Sequence, residues 1–258
     1  MIKKFIKYFD KTFLNYFLYK LYILYLGKLL KKKVSKNFEY NYQSFFKKKT
    51  TELAKLCDFY GSDKDYSDLS KRFFYKNWHP HTYGDFYSNL FDHCKLDIKK
   101  VFECGIGTDN ENIPSNMGKG YKPGSSLRVW KSYFKNAKIY GADVDKGVLF
   151  EEDRIKTFYV NQLEQRSIKA MWTQINENNF DLIIDDGLHT FEAGVSLLEN
   201  SFDKLRPGGI YIIEDVDISY LRKLALHLEK NFNISIVILN VINKKIQNDN
   251  NLIVIRKN

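Results

Sequence analysis

A chain of 258 residues with a hydrophobic fraction of 44% is long enough for one medium domain plus an appendage and apolar enough to bury a core. The net charge of +10 is uneven: residues 1–49 hold thirteen Lys against Asp10 and Glu39, a net +11, so the rest sums to about −1, which excludes a domain-wide phosphate-binding surface. Three cysteines, Cys57, Cys94 and Cys104, with no C-x-x-C spacing, exclude a disulfide framework and a zinc knuckle and fit a reducing cytoplasm.

Residues 1–33 open the chain with a basic, aromatic-rich arm. Ile2, Phe5, Ile6, Phe9 and Phe13 recur at helical spacing, with Lys3, Lys4, Lys7 and Lys11 opposite. From Tyr16 to Leu26 the run is apolar nearly all round, interrupted by Lys20. It is shorter than the roughly 20 apolar residues that span a bilayer. No small-residue cleavage site follows; Lys31–Lys33 come next. Two readings stand: a helix packed on its own domain or on a second copy, or a helix lying in a membrane interface.

From residue 99 onward, β-rich runs alternate with helical patterns. The expected strands are Lys100–Cys104, Lys138–Asp143, Lys156–Val160, Phe180–Asp185, Gly209–Glu214, Ile234–Leu239 and Leu252–Arg256. Ser125–Lys135, Gln165–Glu177, Glu192–Leu205 and Ser219–Asn231 suit helices. Several strand runs are apolar without alternation, as strands covered on both faces are. The pattern predicts an α/β fold with a seven-stranded, mostly parallel sheet and helices on both faces. Ligands of such sheets sit beyond the carboxyl ends of the strands.

The first of these strands ends in Glu103-Cys104-Gly105-Ile106-Gly107, where paired glycines let backbone approach a ligand. The second ends in Asp143, with Asp145 close by; an acid there grips a ribose through its hydroxyls. Together they point to a nucleoside cofactor, and the missing third glycine favours one without a pyrophosphate.

Two later strands end in Asp185-Asp186-Gly187-Leu188-His189 and in Glu214-Asp215-Val216-Asp217. Adjacent strands would bring Asp185, Asp186, Glu214 and Asp215 to one edge, where they repel unless a positive charge stands between them. A hard divalent cation such as Mg²⁺ answers that need; helix capping is the structural alternative for some of them. His189, three residues after Asp186, is the candidate general base. Of the other histidines, His81 alone is kept as a candidate.

These segments resemble the metal-dependent sugar O-methyltransferases related to the macrolide-sugar enzymes, in particular shorter bacterial forms from polysaccharide clusters. The resemblance runs through Gly61-Ser62-Asp63-Lys64, His81-Thr82-Tyr83 with Tyr87, Glu103–Gly107, Pro114–Gly118, Pro123–Arg128 with Trp130, Ile139–Asp145, Asp185–His189, Pro207–Asp215 and Ser219-Tyr220. It covers roughly residues 55–258 and implies a Rossmann-like class I fold that uses S-adenosylmethionine. It places the metal at Asp186, Glu214 and Asp215, the base at His189, and the cofactor at Glu103, Gly105, Ile106, Gly107, Ser126, Asp143, Gln162 and Asp185. Leu188, Asn161 and Cys104 depart from the family pattern, and residues 1–50 do not match the longer N-terminal domain of the macrolide enzymes.

The organisation implied is an N-terminal helical arm over 1–50, a helical lead-in over 51–98 and a cofactor-binding catalytic domain over 99–258. The expected activity is transfer of a methyl group to a hydroxyl of a nucleotide-activated sugar or of a capsular or surface polysaccharide. No nucleic-acid partner is expected; a homo-oligomer and a peripheral contact of residues 1–33 with the inner membrane face are compatible with a cytoplasmic location. The rivals are methylation of a non-sugar acceptor such as a phosphoramidate and hydroxylase-type chemistry. Non-haem iron typically wants two His and a carboxylate, whereas this constellation offers one His.

Overall fold

The computed structural model describes residues 38–40, 51–66, 80–232, 234–240 and 249–258. The helical expectation for residues 1–33 lies outside them. Inside the expected arm, Phe38–Tyr40 forms a short strand, β1, which corrects a wholly helical reading of 1–50. It pairs in parallel with β8 (Ile234–Asn240) and so extends the sheet.

The described residues of the lead-in include two helices. Helix α1 (Glu52–Tyr60) starts where the Thr51 hydroxyl accepts from the Ala54 amide, and it ends at Gly61 in the left-handed region, φ +79°. Helix α2 (Gly84–Phe91) follows. Between them the chain doubles back: the His81 amide donates to the Asp63 carbonyl and the Tyr83 amide to the Lys64 carbonyl.

The remaining elements are β2 (Lys100–Cys104), α3 (Ser125–Tyr133), β3 (Lys138–Asp143), β4 (Glu151–Glu152), β5 (Ile155–Tyr159), α4 (Gln165–Ile175), β6 (Phe180–Asp185), α5 (Phe191–Glu199), β7 (Leu205–Ile213), α6 (Ile218–Asn231), β8 (Ile234–Asn240) and β9 (Asn251–Lys257). All seven expected strands are present. The short strands β1 and β4 extend the two edges, giving the order β1-β8-β9-β7-β6-β2-β3-β5-β4. Pairing is parallel except for β4 with β5 and for both neighbours of β9. Helix α5 stops at Glu199, short of the expected Leu205, which instead begins β7.

Alternation along each strand feeds two cores. Val101, Leu182 and Ile184 face one layer with Leu53, Tyr83, Tyr87, Leu127 and Trp130 of the first half. Phe102, Phe180 and Ile183 face the other, against Met171, Trp172, Leu197 and Leu224. The sheet is thus covered on both faces, which explains the unbroken apolar runs. The chain winds from β2 through β3 to β5, then returns across β2 to β6, so the switch point lies where Cys104 of β2 sits beside Asp185 of β6.

Phe102 is fully buried at this centre and its ring meets Trp172 and Phe180 at centroid distances of 4.7 and 6.4 Å. Phe102→Ala is expected to lower stability by about 3–5 kcal/mol. Phe59→Ala, on a side chain 78% exposed, should stay within about 0.5 kcal/mol. Urea unfolding of both variants checks the contrast.

Candidate active site

A cleft of about 490 Å³ opens over the switch point, within the size range of small-molecule sites. At one end it is lined by Gly105, Ile106, Gly107 and Asp143, and at the other by Asp186, His189 and Asp215.

The cofactor end is built by backbone. Gly105 adopts φ +86°, and a Cβ there would stand 1.9 Å from the Asp186 carbonyl oxygen. Only a glycine lets the β2 turn lie this close to the end of β6. Asp143 is positioned by the same turn, since one carboxylate oxygen accepts from the Ile106 amide at 3.0 Å and the other from the Asp145 amide at 2.9 Å. Between the two acids at this strand end, Asp143 lines the cleft. Asp145 is instead taken by the Thr108 hydroxyl at 2.6 Å and the Gly147 amide at 2.8 Å. Ser126 and Gln162 also line the cleft. The Gln162 side chain links two segments, donating to Asp185 at 2.6 Å and accepting from the Leu188 amide at 2.8 Å.

Two expected cofactor contacts stand behind this lining rather than in it. Glu103 is fully buried, and one of its oxygens accepts from the Ser126 hydroxyl at 2.8 Å and the Trp130 indole at 3.1 Å. Its other oxygen faces the Lys64 ammonium at 2.9 Å. Asp185 is buried beneath Gln162, and burial pushes its carboxyl up to about 6 although the Gln162 hydrogen bond draws it down. Both carboxylates hold the residues that line the cleft.

At the other end, Asp186, His189 and Asp215 each present an atom within 4.8 Å of the others. His189 Nε2 lies 3.3 Å from Asp186 Oδ1, and its Nδ1 lies 4.0 Å from Asp215 Oδ2. The His189 backbone is left-handed, φ +55°, with its carbonyl accepting from the Tyr220 hydroxyl at 3.0 Å. Burial opposes a charged imidazole, but Asp186 and Asp215 outweigh it and hold His189 up at about 9.

Glu214, the third member of the expected metal trio, has both oxygens engaged from within the protein. They are taken by the Lys64 ammonium and by the Tyr87 hydroxyl, both in short contacts. Burial pushes its carboxyl upward, and the Lys64 ammonium opposes that by favouring the charged form.

The sequence did not single out Lys64, Tyr83 or Tyr87, although all three lie in the resembling segments. Lys64 is 2% exposed and also meets Asp186 Oδ2 at 2.7 Å. The Tyr83 hydroxyl donates to Asp215 at 2.6 Å. His81 lines the cleft, with Nε2 3.2 Å from Asp215 and Nδ1 2.8 Å from the Asn250 side chain. The signal for Lys64 was a lone basic residue just past a helix-ending glycine; among 41 Lys and Arg it does not stand out. The loop over residues 108–124 supplies Ile113, Pro114, Met117 and Tyr121 to the wall.

An open α/β sheet of this order, with a glycine turn and an acid at the ends of β2 and β3, is the architecture of the class I S-adenosylmethionine-dependent methyltransferases. No protein-family model matches the chain. The chain is similar in sequence to several O-methyltransferases. It is 30% identical over 168 residues to the 8-demethyl-8-alpha-L-rhamnosyl tetracenomycin-C 2'-O-methyltransferase of Streptomyces olivaceus, covering 65% of this chain and 38% of that protein. It is 32% identical over 166 residues to the mycinamicin VI 2''-O-methyltransferase of Micromonospora griseorubida, covering 62% and 38%. Among solved structures it is similar to the MycE methyltransferase of the mycinamycin pathway in complex with Mg and SAH, with a TM-score of 0.51, 26% identity, and coverage of 69% of this chain and 40% of that one. The chain thus spans well under half the length of these relatives.

Gly105→Ala meets both left-handed strain and a backbone clash, so it should destabilise the fold by more than the roughly 1–2 kcal/mol of strain alone. Gly120, also at φ +86° but with nothing within 4 Å of a Cβ, isolates the strain. Thermal unfolding of Gly105→Ala beside Gly120→Ala is expected to show the larger loss at Gly105.

Proposed function

We propose that the chain is an S-adenosylmethionine-dependent O-methyltransferase whose acceptor is a sugar hydroxyl, on a nucleotide-activated sugar or on a capsular or surface polysaccharide. The observation that carries this reading is a single cleft in which the glycine turn and Asp143 meet Asp186, His189 and Asp215. The similarity to the rhamnosyl tetracenomycin-C 2'-O-methyltransferase and the mycinamicin VI 2''-O-methyltransferase supports sugar hydroxyls as the acceptor class.

In this reading the backbone of Gly105, Ile106 and Gly107, with Ser126 and Gln162, cradles the cofactor. Asp143 keeps lone pairs free beyond its two backbone bonds and offers them to the ribose hydroxyls. The carboxylates of Asp186 and Asp215 are hard oxygen donors that fit a divalent cation, and the related MycE structure contains Mg and SAH. Asp186 and Asp215 would hold the ion, which supplies Lewis acidity and a template for the acceptor hydroxyl.

His189 takes the hydroxyl proton as neutral imidazole, a form that requires the charge of Asp186 and Asp215 to be offset. The acceptor oxygen then attacks the methyl carbon in line, the carbon–sulfur bond breaks, and S-adenosylhomocysteine leaves. Alignment supplies much of the rate, because the sulfonium is already activated. Ile113, Met117 and Tyr121 of the loop after β2 form an apolar wall of the same cleft.

The test is S-adenosylhomocysteine release by the purified protein with pools of nucleotide-activated sugars, with Mg²⁺ or with EDTA. Release that EDTA abolishes is expected; release unaffected by EDTA would remove the metal from the mechanism and leave the methyl transfer. His189→Ala should lower turnover at least a hundredfold with S-adenosylhomocysteine affinity within about twofold. Asp143→Ala should weaken that affinity at least tenfold, about 1.4 kcal/mol. Calorimetric titration separates the two, and equal loss of affinity in both variants would overturn the division of roles.

A further inference from the structure

Lys64 is a buried charge at this edge to which the proposed chemistry gives no task. Its ammonium is 2% exposed and sits among Glu103 at 2.9 Å, Asp186 Oδ2 at 2.7 Å and Glu214 in a short contact. Burial disfavours a charged amine, and three carboxylates over-compensate that cost. Asp186 is shared: Oδ2 belongs to Lys64, while Oδ1 turns to His189 and the cleft. Asp215 is divided in a similar way, with Oδ1 bound by the Tyr83 hydroxyl and Oδ2 facing His81 and His189. Each carboxylate therefore offers one oxygen to the cleft and keeps the other on a buried donor.

We propose that Lys64 is an internal counter-ion and positioning residue. It holds the carboxylate edge folded without a metal, and it limits how tightly Asp186 and Asp215 bind a divalent cation. This rests on the reading of those two residues as the metal-holding pair. The physical basis is charge. An ammonium on the same carboxylate repels a dication through a partly desolvated medium, where such repulsion is large. The same ammonium removes the mutual repulsion of Glu103, Asp186 and Glu214 that would otherwise oppose folding. The ion is consequently exchangeable rather than structural, and it adds little to the stability of the unmodified protein.

The position follows from local structure. Gly61 ends α1, and Ser62-Asp63-Lys64 then runs beside His81-Thr82-Tyr83, held by the Asp63 and Lys64 carbonyls. That backbone pairing fixes Lys64 beneath the cleft whether or not a cation is bound.

The experiment uses the full chain with Mn²⁺ as probe, comparing the unsubstituted protein with Lys64→Met and Lys64→Gln. Mn²⁺ binding is read by electron paramagnetic resonance and stability by thermal unfolding with and without Mn²⁺. Both variants should lose stability when metal-free and recover most of it in saturating Mn²⁺. Their Mn²⁺ Kd should tighten at least tenfold, about 1.4 kcal/mol. A merely structural lysine gives the opposite sign, since a disordered site binds metal more weakly. An unchanged or weaker Kd in either variant, or variants that Mn²⁺ does not restore, would overturn the proposal while leaving the metal reading in place. An unsubstituted protein that binds no Mn²⁺ would overturn the metal reading itself, and this proposal with it.

Discussion

Glu103, Asp186, Glu214 and Asp215 come from the ends of three neighbouring strands, and the parallel register of β2, β6 and β7 leaves them no room to separate. Their mutual repulsion is the constraint to which the surrounding structure answers. The chain meets it with donors brought from outside the sheet: the Lys64 ammonium, the hydroxyls of Tyr83 and Tyr87, and the imidazole of His81. All four come from the segment that precedes β2. The helical lead-in is therefore part of the site, and its two helices also close one of the two cores.

The same constraint divides the carboxylates by task. Glu103 and Asp185 point into protein, where they fix Ser126 and Gln162, and thereby shape the cofactor end without lining it. Asp143 reaches the cleft because its partners are backbone amides of the adjacent turns. Asp186 and Asp215 keep one oxygen each towards His189. A hydrogen-bonded support under each side chain restricts its rotamers, so the proposed transfer depends little on rearrangement when ligands bind.

Much of the fold was legible in the sequence. Strands β2, β3 and β6 fall on the residues that apolar runs and flanking acids indicate, and the strand ends that carry the glycine turn, Asp143, Asp186 and Asp215 follow directly. Boundaries missed where a turn sits inside an element. Leu205-Arg206-Pro207-Gly208 reads as a break, but tertiary pairing draws Leu205 into β7 opposite Phe180. The two edge strands were not legible, because two or three residues carry no periodicity. The partners of the acids were not legible either. A buried lysine and two buried tyrosines look in sequence like any others, and the contacts of Lys64 and Tyr87 with Glu214 and of Tyr83 with Asp215 span 150, 127 and 132 residues.

Sequence alone determined the layered α/β plan and the edge at which chemistry gathers, because alternation and strand-terminal residues are local properties of the chain. Only the tertiary structure decided which carboxylate faces the cleft and which faces protein. That choice depends on the donors that arrive from a distant segment: Glu214 turns to Lys64 and Tyr87, while Asp186 and Asp215 each keep an oxygen towards His189. A buried acid goes where a positive or hydrogen-bonding partner offsets its desolvation, and the position of that partner is a property of the fold rather than of the acid's own neighbours in sequence.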